Sequence, residues 1–178
     1  MNFTTRFAAL RGGAAALALF STASLVSADG NAPCNTGAGT NSPECGVNST
    51  AAGDFSVAIG DQSTTSAAST DGVAIGSEAS ADGPSTTAVG GETVATGPGA
   101  SALGWQSQAT AERAQAVGHL ATAQGVRSLA VGEAANASAD FAIAQGNQGA
   151  ASGLASIAIG NNSSATRGYA LATGVPDA

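Results

Sequence analysis

Residues 156–160 read Ser156-Ile157-Ala158-Ile159-Gly160, and the same phrase stands upstream as Ser56-Val57-Ala58-Ile59-Gly60 and Gly72-Val73-Ala74-Ile75-Gly76. Working outward from these three, glycine recurs at Gly60, Gly76, Gly90, Gly104, Gly118, Gly132, Gly146, Gly160 and Gly174. The first spacing is 16 and every later one is 14. A fixed period over most of a chain marks an architecture in which each unit stacks on its neighbours. Alanine stands two residues before every one of these glycines, from Ala58 to Ala172, and again nine before: Ala51, Ala67, Ala81, Ala95, Ala109, Ala123, Ala137, Ala151 and Ala165. On this alignment the two extra residues of the long spacing fall between Gly60 and Ala67, as a swollen turn.

The positions flanking the first alanine are mostly branched or aliphatic. One before the glycine come Ile59, Ile75, Val89, Leu103, Val117, Val131 and Ile159, with Gln145 and Thr173 as exceptions. Three before come Val57, Val73, Leu129, Ile143, Ile157 and Leu171, interrupted by Thr87, Ser101 and Gln115. Short apolar segments closed by glycine read as strands. The second alanine sits among Ser, Thr, Asn and Gln, and its segment often ends in another glycine, as at Gly53, Gly83, Gly97, Gly125 and Gly153. Each repeat therefore predicts two strands and two turns. The fold class is all-β, a parallel β-roll of about nine 14-residue coils, on the order of 40 Å long at ~4.8 Å per coil.

The two alanine columns lie half a repeat apart, so they occupy equivalent places on opposite sheets and can meet inside. With 25 glycines, 4% aromatic residues and a 43% apolar fraction rich in alanine, the chain cannot fill a thick core. A thin one needs only methyl groups. Strand periodicity then turns the aliphatic columns outward. A wet aliphatic stripe along a rod is unfavourable, so the columns predict a seam between chains. The other reading turns them inward in a monomeric rod. The opposite sheet carries Thr50, Ser66, Ser80, Thr96, Thr110, Thr122, Ser138, Ser152 and Thr166 and suits water.

Residues 1–28 read as a secretory leader: Arg6 and Arg11, an apolar run from Ala14 to Phe20, and Val26-Ser27-Ala28 as a small-x-Ala cleavage site. The apolar run is too short for a membrane span, and the mature chain carries no transmembrane segment. The segments are then 1–28 leader, 29–46 N-terminal segment, 47–174 repeats and 175–178 tail. Cleavage leaves three arginines (Arg113, Arg127, Arg167) against 12 acids, a formal charge of −9 with no lysine. Such a surface repels phosphate backbones, which excludes nucleic acid as a partner. In an oxidising compartment Cys34 and Cys45 favour one disulfide over a two-cysteine metal site, since no histidine lies near them.

Little catalytic chemistry is on offer. His119 is the only histidine, and no lysine can supply a phosphate loop or a Schiff base. Gly90-Gly91-Glu92-Thr93 is repeat material. Asp54, Glu112 and Asp140 share a column but not neighbouring coils. No catalytic residue, metal site or cofactor is expected. Two columns stand out as candidate partner-binding positions: Trp105 followed by His119, and Arg113 followed by Arg127 and Phe141. Trp and Arg are common binding anchors; the alternative is that the indole shields a corner or subunit seam and the arginines pair with local acids.

The pentapeptides above, and the intervening Gly160-Asn-Asn-Ser-Ser-Ala165, resemble the head repeats of trimeric autotransporter adhesins, the YadA-like group, over residues 47–174. The resemblance implies a left-handed parallel β-roll, a homotrimer, and display on a Gram-negative surface. It also implies binding to host matrix or cell-surface molecules, or bacterial self-association. Members of that family continue into a coiled-coil stalk and a membrane-anchor barrel. These 178 residues hold neither heptads nor alternating ten-residue strands, so the implied location is cell surface, outer membrane or secreted. Other classes fit less well. An ice-binding solenoid needs regular Thr-x-Thr ranks, which Asp82, Val94, Gln108, Gln124 and Ala150 interrupt. A phage fibre is assembled in the cytoplasm and needs no leader.

Overall fold

The computed structural model describes residues 34–174, and the leader reading at 1–28 and the tail at 175–178 lie outside the described residues. The architecture is all-β, with no helix among the described residues. Ten three-residue strands, from Pro43–Cys45 through Val57–Ile59 to Leu171–Thr173, together with the two-residue Asn35–Thr36 form one sheet of 11 strands; two-residue strands from Thr50–Ala51 to Ser164–Ala165 form a second of nine. Apart from the first pair, neighbours are parallel and in register at one coil's separation: Ala102 pairs with Ala88 and Ala116, and Ala109 with Ala95 and Ala123. The repeat is thus one circuit of a β-solenoid of about nine turns.

The inward-facing alanines of both sheets up to Ala165 are fully buried, as at Ala102, Ala109, Ala116 and Ala123, each 0% exposed, while Ala172 in the last coil is half-buried. Two further positions in every coil also point inward. One lies three residues after the anchor glycine (Ala79, Thr93, Ser107, Ala121), the other just before the aliphatic strand (Ser56, Thr86, Ala100, Ala114). Where these are Ser or Thr, the hydroxyl in most coils donates to the carbonyl three residues back, Ser128 excepted: Ser107 to Gly104 at 3.0 Å, Thr93 to Gly90 at 2.9 Å, Thr86 to Gly83 at 2.7 Å. A buried hydroxyl is tolerated because it closes a turn.

The corners are made by backbone in the left-handed region. The anchor glycines take φ of 126° at Gly118 and 130° at Gly132. A Cβ on Gly118 would stand 2.5 Å from the carbonyl oxygen of Gly132. Every turn but the one at Gly99 also places a non-glycine residue at positive φ, among them Gln106, Arg113, Leu120, Arg127 and Phe141. None of those residues is Val, Ile or Thr, whose branched Cβ makes that conformation costly.

One sequence-based assignment is overturned. Ala67 does not belong to the inner column. Thr65 does, paired with Ala51 and Ala81 and 1% exposed, while Ala67 is exposed. The half-coil that follows Gly60 is the invariant one, because Ser63 Oγ donates to Gly60 O at 3.0 Å and Thr65 Oγ1 lies 2.7 Å from Ser56 Oγ. The insertion is therefore Ala67–Ala68, in the second turn rather than the first.

The glycine column also extends back to Gly46, with φ 137°. β1 (Asn35–Thr36) pairs antiparallel with β2 (Pro43–Cys45), and β2 opens the parallel ladder. Cys34 and Cys45 are joined by a disulfide. Glu44 stands in register with Ala58 at the end of the alanine column, and its carboxylate accepts the N–H of Ala51 at 2.8 Å.

Two substitutions test this packing. Gly118→Ala should destabilise the roll by about 2 kcal/mol or more, from left-handed strain plus the carbonyl contact. Ser128 Oγ is buried without a hydrogen-bond partner; Ser128→Ala should therefore be neutral or stabilising by up to about 1 kcal/mol, whereas Ser107→Ala should cost about 1 kcal/mol. Urea unfolding of the three variants measures the contrast.

Candidate binding surfaces

With the interior filled by small side chains, recognition chemistry can lie only on two flat faces and two rows of corners. On the 11-stranded sheet the aliphatic residues turn outward. Ile59, Ile75, Leu103, Val117 and Ile159 are 36–43% exposed, beside alanines that are 0% exposed. In-register pairing stacks Leu103 between Val89 and Val117, and Val117 under Val131. The second column joins Val57 to Val73, gives way to Thr87, Ser101 and Gln115, and resumes at Leu129, Ile143, Ile157 and Leu171. The stripe is two residues wide at Val57–Ile59 and Val73–Ile75, one wide in the middle, and alternates between two and one toward the C-terminal end, where Gln145 and Thr173 interrupt the first column.

The outer face of the nine-stranded sheet is polar and irregular. Thr64 Oγ1 reaches Ser80 Oγ at 3.4 Å, and Ser80 reaches the Asp82 carboxylate at 2.9 Å. Val94, Gln108 and Ala150 break the row.

At the first corner, just after the anchor glycine, Trp105 and His119 are stacked, with ring centroids 4.7 Å apart and planes 7° from parallel. Glu92, one coil earlier, accepts the indole N–H at 3.2 Å and the Gln106 amide at 2.8 Å. Gln106 first, and then the indole, hold the Glu92 carboxyl below the usual range. On the other side, His119 Nδ1 lies 3.5 Å from Glu133 Oε1, a pair that is ionic only when the imidazole is protonated.

At the second corner Arg113 pairs with Glu112 at 3.1 Å, and the Arg127 guanidinium lies 5.9 Å from the centre of the Phe141 ring. Pro84, Ser85, Pro98, Gly99, Glu112 and Arg113 line a shallow depression of about 310 Å³. The four candidate residues therefore form two sites on opposite corners of the coil. Asp54 and Asp140 cap the turn of the coil before them, accepting Thr40 N–H at 2.7 Å and Val126 N–H at 2.8 Å. The Thr40 bond keeps the Asp54 carboxyl below its ordinary value. Among the described residues no three of His, Cys, Asp and Glu converge as a metal site would require.

Sequence columns brought Trp105 to His119 and Arg127 to Phe141. They missed Glu92 and Gln106, which sit one position further round the turn, on the preceding coil and on the same coil as Trp105. A search at separations of 13 and 14 together would have found them.

The family model for the YadA head domain repeat (2 copies) matches residues 46–63, 67–93, 95–121, 123–148 and 151–175. Among curated proteins none matches the chain.

Because the Glu92 carboxyl is depressed in the folded chain, its contribution is present above its ordinary value and fades as pH falls through the lowered one. Acidification should therefore release the indole, seen as a red shift in the emission of the single tryptophan while far-UV circular dichroism is unchanged. Glu92→Gln should show the released emission already at neutral pH.

Proposed function

Because this chain belongs to the family of YadA head-domain repeats, an adhesin family, we propose that it is the head of an exported homotrimeric adhesin. Export runs through the leader at 1–28, residues 29–46 close one end, 47–174 form the head, and 175–178 follow it. The head acts at the cell surface or as a secreted protein. It attaches to host matrix or cell-surface molecules, or to its own kind on another cell, and performs no catalysis.

The observation that carries the reading is the outward aliphatic stripe of the 11-stranded sheet. Each of its side chains that leaves water contributes on the order of 1 kcal/mol. A dozen per chain is ample to hold three rods together against the association cost. The polar nine-stranded face and both corners then remain outside, repeated three times. Weak contacts to a repetitive partner gain from that multiplicity. The acidic surface, with seven carboxylates between Glu44 and Glu92 and no base in that stretch, keeps such rods soluble.

Light scattering coupled to size exclusion tests the assembly. Residues 29–178 should elute at the mass of three chains. Ile75→Asp with Val117→Asp should lower that mass to one chain while the β-sheet circular dichroism persists. A stable wild-type monomer would defeat the proposal.

A further inference from the structure

We propose that Trp105 and Glu92 form, within a single chain, a binding site for one organic cation: a basic side chain or a quaternary ammonium group seated over Gly91. The site is complete in one chain and does not rest on the trimer.

The indole is immobilised before any ligand arrives. One face lies on His119 and the N–H is held by Glu92. The 4.7 Å ring separation matches the rise of one coil, so the ring normals run along the rod. The opposite face of the indole looks toward the preceding rung, which is Gly91. Around a Cβ placed on Gly91, and apart from its chain neighbours Gly90 and Glu92, only Trp105 Cδ1 at 3.5 Å and the Ser77 carbonyl oxygen at 3.8 Å come within 4 Å. Glycine thus leaves a notch one side chain deep above a fixed π-face.

The charge around the notch is of one sign. Both Glu92 oxygens are engaged by neutral N–H donors, so its charge is uncompensated. Glu78 holds the same position one coil earlier, its N–H bonded to Asp61 O as the Gln106 N–H is to Gly91 O. Arg113 and Arg127 lie at the other corner, where they face Glu112 and Phe141. An exposed cation over an indole gains from the ring quadrupole, and a carboxylate beside the ring adds to it. The two side-chain N–H donors beside the notch, on the indole and Gln106, are already taken by Glu92.

The chain has one tryptophan, so its fluorescence reports this site alone. The folded protein is titrated with choline and with Nα-acetyl-lysine amide at constant ionic strength. 3,3-Dimethylbutan-1-ol and methyl glucoside serve as uncharged controls. The expected result is a saturable change with a cation at millimolar concentration and none with the controls; which cation binds more tightly distinguishes a headgroup from a protein side chain. Glu92→Gln should weaken binding about fivefold. Gly91→Val, at a residue of ordinary φ, should fill the notch and abolish the response with unfolding unchanged. No saturable response to either cation, an equal response to the controls, or a response that survives Gly91→Val overturns the site. An assembled trimer that fails to respond sinks this site and leaves the adhesin reading standing; a monomer that responds does the reverse.

Discussion

The structure depends on the closeness of its two backbones. Strands of opposite sheets are separated by little more than two facing methyl groups, so among the described residues no side chain larger than that of Ala, Ser or Thr is fully buried. Burial of methyls alone contributes little per residue. Cohesion comes instead from the ladder: Gly118 N–H donates to Leu103 O at 2.8 Å, Gly132 N–H to Val117 O at 2.8 Å, and so on coil after coil. Each coil finds its hydrogen-bond partners in its neighbours, which makes stability a nearest-neighbour property of the stack. The same closeness governs the corners, where glycine carbonyls of successive coils leave no space for a Cβ.

A core that excludes large side chains forces them outward. In most domains a Leu or Ile marks the interior; here Leu103 and Ile159 mark the exterior, and alanine marks the interior. Side chains on the surface gain neighbours by stacking rather than by packing depth. Residues fourteen apart meet as Trp105 meets His119 and Arg127 meets Phe141. A binding site on such a rod is thus a short run of one column together with the adjoining position of the coil beside it.

That geometry explains what could be read from the sequence. The period, the parity of the strands and the inward alanines follow from spacing alone, since a residue's place in the circuit fixes where it points. Thr65 was hidden because an insertion shifts the register on one side only, and composition does not say which side is rigid. The hydroxyl bonds of Ser63 and Thr65 do. Gly46 was hidden because Glu44 replaces the alanine two residues before it. The second pair of inward positions escaped notice because Ser, Thr and Ala there look like turn residues. The Glu92 contact required knowing how the turn winds, which depends on left-handed backbone at residues such as Gln106 that carry no glycine signal.

The N-terminal end of the stack shows how the same ladder is stopped. An open parallel edge would template a further strand from any passing chain. β1 runs antiparallel across that edge, the disulfide between Cys34 and Cys45 fastens it, and residues 37–42 cross the second sheet, with Gly39 N–H on Ala51 O at 3.1 Å. Glu44 places a charge where the next alanine would have gone. An incoming coil would have to bury that carboxylate, which is costly for a charge whose one partner is the Ala51 N–H. With that edge closed and the aliphatic face open, the assembly proposed for these rods would run sideways, face against face, rather than end to end at this terminus.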